Sequence, residues 1–133
     1  MSEAEKVGSP SPADTPSPAG MVPARSPATI EDFQRIELRV GVITAAQDHP
    51  NADRLLVLTV DIGDGTPRQV VAGIKGSYAA ADLIGKRVVV VANLKPATLR
   101  GVESQGMVLA AQDGSQLALV SPERPVQPGG TVK

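Results

Sequence analysis

From Ile36 to Val42 apolar and polar residues alternate: Ile36, Leu38, Val40 and Val42 fall on one face, Glu37, Arg39 and Gly41 on the other. Successive side chains of a strand point to opposite faces, so 36-IELRVGVITAAQDH-49 predicts a strand with a polar outer face. Gly41 allows a bend, and Pro50-Asn51 ends the strand. Further apolar runs predict strands over 54–63, 68–74, 86–94, 106–111 and 116–122, with a hairpin turn at 63-GDGTP-67. Two short helices fit between them. Thr29 caps one over 30–35, with acidic residues at its positive end. Ser77 caps the other within 76–85, where Gly85 stops it.

Five main strands with one helix between the third and the fourth give an all-β chain in the order of an OB-fold, a five-stranded Greek-key barrel. The segment 112–133 is an extension beyond what the barrel needs. Periodicity alone does not separate this fold from an SH3-like barrel. In an OB-fold, ligands lie across strands two and three, between the first-to-second and fourth-to-fifth loops. Those loops are 47-QDHPNADR-54 and 93-NLKPATLRGVESQGM-107, both conspicuously polar connections. Before residue 29 the pattern vanishes. Residues 1–28 are dominated by Pro, Ser, Ala and Gly, which bury too little area to offset ordering entropy. The expected organisation is a disordered tail over 1–28 and one domain over 29–133.

Composition removes several functions. With no cysteine there is no disulfide framework or thiolate metal site, which fits a reducing, cytoplasmic setting. No apolar run approaches the roughly 20 residues of a membrane span, and the N-terminus lacks the apolar stretch of a secretory signal. His49 is the only histidine, so one chain cannot supply a two-histidine metal site. Asp48, His49 and Ser104 are triad residue types, but strand neighbours point apart, so Asp48 is badly placed to orient His49. No Walker motif or other Gly-rich phosphate loop is present. The reading is a non-catalytic protein with no cofactor.

Charge changes the picture locally. Of thirteen Lys/Arg and fourteen Asp/Glu, two cations (Lys6, Arg25) and three acids (Glu3, Glu5, Asp14) precede residue 29, leaving eleven of each in the domain. Yet residues 83–102 carry Lys86, Arg87, Lys95 and Arg100 without an acid. Local potential decides where a phosphate backbone sits, and a neutral total predicts modest affinity that falls with salt. With no Trp, one Phe (Phe33) and one Tyr (Tyr78), base stacking on aromatic platforms is not available.

The runs 32-DFQRIELRVGVI-43, 49-HPNADRLLVLTVDIG-63, 70-VVAGI-74 and 85-GKRVVVVANLKPATLRGVESQGMVLAA-111 resemble the bacterial tRNA-binding domain. That family occurs as a free-standing dimer and as a C-terminal appendage of many methionyl-tRNA synthetases; a related form is joined to phenylalanyl-tRNA synthetase β chains and to eukaryotic synthetase cofactors. The resemblance spans about residues 30 to 132. Arg54 stands where the family often has Lys, and Ala72 where Ser is common. It implies a module that binds tRNA by shape and backbone, alone or beside methionyl-tRNA synthetase. The implied contacts are Asn51, Arg54, Asn93, Lys95, Arg100, Ser104, Gln105 and Met107.

Each has a second reading. Lys95 and Arg100 contact phosphate or are solvated charges. Asn51 contacts RNA or shapes its own turn, and Asn93 ties its loop to a strand end. Ser104 and Gln105 donate to phosphate or 2′-OH or simply close the loop. Met107 meets a base or ribose or fills the core. Leu117, Leu119 and Val126 form an apolar stripe with no strand to cover it, which predicts a two-fold homodimer interface. The alternative function is peptide binding, as in the CsaA secretion chaperones, which share the fold but generally lack both loop motifs.

Overall fold

The computed structural model describes residues 25–133. All but the last four residues of the expected tail lie outside the described residues. Thr29 starts α1 (Ile30–Gln34): its hydroxyl accepts from the Asp32 N–H, and the Asp32 carboxylate accepts from the Thr29 N–H. This reciprocal cap satisfies donors that a helix start leaves unpaired. No residue of α1 is buried.

The strands are β1 (Leu38–Asp48), β2 (Leu56–Asp61), β3 (Arg68–Ala72), β4 (Arg87–Val91), β5 (Ala97–Leu99), β6 (Val102–Ser104), β7 (Met107–Val108), β8 (Ala110–Asp113), β9 (Gln116–Leu119) and β10 (Thr131–Val132). The main sheet runs β3-β2-β1-β4-β7, all antiparallel, with β10 also on β1. β1 pairs with β4 over residues 38–42 and with β2 over 42–48, with a register shift between Ile43 and Ala45. Such a bulge bends a strand, so one long strand serves two walls of the barrel. With β7 as the fifth strand, this is the OB order.

The two ends of the sheet meet at a seam. Gln105 N–H donates to Gln69 O at 2.7 Å and Gln69 N–H to Gln105 Oε1 at 2.9 Å. Val71 N–H donates to Ser104 Oγ at 2.9 Å, and Gln69 Nε2 to Glu103 O at 2.8 Å. Side chains here do the pairing that a ladder does elsewhere.

The core lies inside this barrel. Ile43, Leu56, Leu58, Val60, Val70, Leu83, Val88 and Val90 are fully buried, each contributing roughly 1.5–3 kcal/mol. The expected inner face of β1 is reversed. Gly41 and Ile43 face the core, and a Cβ on Gly41 would stand 2.5 Å from Val60 Cγ1 and 3.1 Å from Val90 Cγ2. Val40 is buried on the other side, within reach of Gly130. A glycine counted as polar hid a close approach of three strands.

Other boundaries also move. The helix expected over 76–85 is one 3-10 turn, Ala80–Leu83, with Ala79 and not Ser77 before it. Leu83 is its only buried residue, too little to offset the cost of nucleating a longer helix. Gly85 does stop it, at φ 90°. The strand expected over 106–111 breaks at Leu109, whose N–H turns to Val89 O while its carbonyl accepts from Val120 N–H. The stripe at Leu117 and Leu119 is not uncovered. The β8–β9 hairpin packs both against the core of their own chain, and Leu119 N–H donates to the Tyr78 hydroxyl at 3.0 Å. Val126 is 36% exposed, and its carbonyl accepts from Arg87 Nε.

Candidate nucleic-acid interface

The connection 93–107 holds a hairpin that was not expected, β5–β6. Leu99 pairs with Val102, leaving a two-residue tip, Arg100-Gly101, with φ of 52° and 89°. Positive φ at both central residues is the geometry that matches a hairpin's twist. Asn-Gly usually fills it. Arginine has no comparable ease there, so the surroundings must hold it.

The first-to-second loop does so. The side chains of His49 and Asn51 reach two successive carbonyls of the tip: His49 Nε2 donates to Leu99 O at 2.9 Å, and Asn51 Nδ2 to Arg100 O at 3.2 Å. His49 Nδ1 accepts from Asn51 N–H at 2.9 Å, which fixes the proton on Nε2. The backbone closes the same loop, with His49 N–H on Leu55 O. His49 is 5% exposed.

This bracing brings Arg54 and Arg100 to one cleft of about 400 Å³, lined also by Ala52, Asp53 and Leu55. Both arginines and Lys95 are exposed. The ion pairs among the described residues join Arg39 to Glu37, Arg68 to Asp64, Lys75 to Asp48 and Arg124 to Glu123. None engages Arg54, Lys95 or Arg100. Their charge is available to a ligand.

The other expected contacts divide. Asn51 is exposed but spends one amide hydrogen on the hairpin. Met107 is 45% exposed beside the seam. Gln105 is exposed, with its Oε1 taken by Gln69. Ser104 does not present its hydroxyl: it is 5% exposed, accepts from Val71 N–H and donates to Gly106 O. Asn93 accepts from Glu37 N–H and donates to Arg35 O, tying the end of β4 to the end of α1. Both belong to the scaffold. His49 and Gln69 were not expected at the site. The spacing of His49 two residues before Asn51, within a turn, was the available signal for the first; Gln69 left none.

A family model described as "Putative tRNA binding domain" matches residues 38–131. The chain belongs to this family. It is 57% identical over 103 residues to a methionine–tRNA ligase of Methanococcus aeolicus and 52% over 103 residues to that of Thermococcus onnurineus. Each match covers 77% of this chain but only 15% and 14% of the ligase. These relatives are archaeal, which widens the bacterial resemblance. Among solved structures, a MetRS-related protein from Pyrococcus horikoshii has TM-score 0.75 and 31% identity, over 82% of this chain and all of that one. The chaperone CsaA of Bacillus anthracis has TM-score 0.74 and 29% identity, over 81% of this chain and all of that one. The barrel is common to both. The family is a binding module, so no catalytic step is assigned to the chain.

Proposed function

We propose that this chain binds tRNA through the face made by the 49–55 loop and the β5–β6 hairpin, as an accessory to methionyl-tRNA synthetase in the cytoplasm. One observation carries the reading: two loops are joined by hydrogen bonds between residues 50 and 49 positions apart in sequence, so that Arg54 and Arg100 share a cleft with no acid among the described residues ion-paired to either. Arg100, Arg54 and Lys95 contact phosphates; Asn51, Gln105 and Met107 contact ribose or an unstacked base. Phe33 lies on α1 and the Tyr78 hydroxyl is bonded to Leu119, so neither serves as a stacking platform here. Recognition therefore rests on backbone and shape.

The module works as a two-fold dimer, because two modest basic faces on one tRNA gain effective concentration. Leu117 and Leu119 face their own core, so the support shifts to Ile30, Phe33 and Ile36. These are 63%, 44% and 42% exposed beside a groove of about 500 Å³ that Leu38 and Val132 also line.

The test is titration of labelled tRNA, and separately of an unfolded polypeptide, into the whole chain at several salt concentrations. Salt-dependent tRNA binding without polypeptide binding supports the reading. Polypeptide binding without tRNA binding gives the chain to the CsaA type. Co-purification with the methionyl-tRNA synthetase of the same cell tests the partner.

A further inference from the structure

A buried histidine with both ring nitrogens engaged is ordinarily a turn-former and nothing more. His49 differs in what it holds. Its Nδ1 closes its own loop on Asn51 N–H, while its Nε2 crosses to the hairpin and takes Leu99 O, the carbonyl just before Arg100. Asn51, whose place depends on that first bond, takes the next carbonyl, that of Arg100 itself. The turn also rests on this loop, since a Cβ on Gly101 would lie 3.6 Å from Asn51 Nδ2. The hairpin tip is otherwise exposed: Ala97, Thr98, Leu99, Arg100 and Gly101 all face solvent. A two-stranded hairpin alone is marginal, and this one carries an arginine in a conformation that residue disfavours.

We infer that His49 is a positioning residue for tRNA binding, which fixes where Arg100 presents its charge by holding the Leu99 carbonyl; this rests on the tRNA reading above. His49 touches no RNA. It couples the two loops, so that a phosphate meets Arg54 and Arg100 at one fixed spacing. Without it only Asn51 holds the tip, at the Arg100 carbonyl, and the spacing between the two arginines loosens.

The two bonds can be separated. In His49→Asn the shorter amide still accepts from Asn51 N–H, as an asparagine does in its own turn, but falls short of Leu99 O. In His49→Gln the longer amide still reaches Leu99 O. The measurement is tRNA affinity of the whole chain against salt, for these variants, for Arg100→Ala and for His49→Asn with Arg100→Ala. Arg100→Ala should weaken binding about fivefold and flatten the slope of log K against log salt by about 1. His49→Asn should move both in the same direction by part of that amount, since Asn51 still holds the Arg100 carbonyl; the double variant should add less than about twofold to Arg100→Ala alone, and His49→Gln should keep the parent slope. A histidine that only stabilises the turn would lower the melting temperature and leave the slope alone.

The failures are distinguishable. If Arg100→Ala flattens the slope and folded His49→Asn does not, or if the two losses multiply, the positioning role is overturned and the tRNA contact stands. If Arg100→Ala itself changes nothing, the contact falls and the positioning role falls with it. Should His49→Asn not fold, the glutamine variant decides, because a flattened slope in folded His49→Gln also overturns the proposal.

Discussion

Arg100 holds opposing demands in one residue. Its φ of 52° suits asparagine better than arginine, and its exposed guanidinium suits a phosphate. Arg100→Asn is therefore expected to stabilise the fold, by about 0.5–1 kcal/mol in denaturant unfolding, while tRNA affinity falls. A variant that loses both stability and affinity would refute the turn argument. Lys95→Ala with Arg100→Ala should weaken every tRNA tested and flatten the salt slope by roughly 1.5 to 2 per chain. Ser104→Ala should do the reverse. It leaves the buried Val71 N–H without its acceptor, at a cost of about 1–3 kcal/mol, yet the salt slope of the folded fraction should not move. Calorimetric melting beside the titration separates these outcomes.

At the scale of elements, what was legible followed from period and punctuation. Thr29 and Asp32 announced α1, Gly85 announced the stop after Leu83, and the valine runs announced β3 and β4. What was not legible depended on partners distant in sequence. Gly41 looked like a polar-face residue until Val60 and Val90 stood against it, and Leu117 looked uncovered until β8–β9 folded back. The hairpin β5–β6 was hidden because Arg100 occupies a position where asparagine or glycine gives the usual signal. Gly41→Ala tests the close approach directly. A methyl 2.5 Å from Val60 Cγ1 must displace that fully buried side chain, so a loss of about 1–3 kcal/mol is expected. Wild-type stability in that variant would mean that the facing valine side chains yield at no cost.

The whole molecule is small and nearly neutral, and two sets of its exposed residues bear on assembly and binding: cations at the two loops, and Ile30, Phe33 and Ile36 on and just after α1. Ile36→Glu with Phe33→Glu should give a folded monomer with at least tenfold weaker tRNA binding, read by light scattering and titration. Leu117→Glu should instead cost stability, since that side chain packs on its own core. A parent chain that is monomeric at micromolar concentration would defeat the dimer at once. The seam has a further consequence, for solubility. β3 ends the sheet, and the main-chain donors of Gln69 and Val71 are occupied by side chains from the very loop proposed to meet RNA. Were that loop to lift, the barrel would open a raw strand edge, the kind of surface through which chains add to one another. A bound nucleic acid, by pressing the loop down, would shield the protein from aggregating, and the chain would be most prone to precipitate when it has nothing to carry.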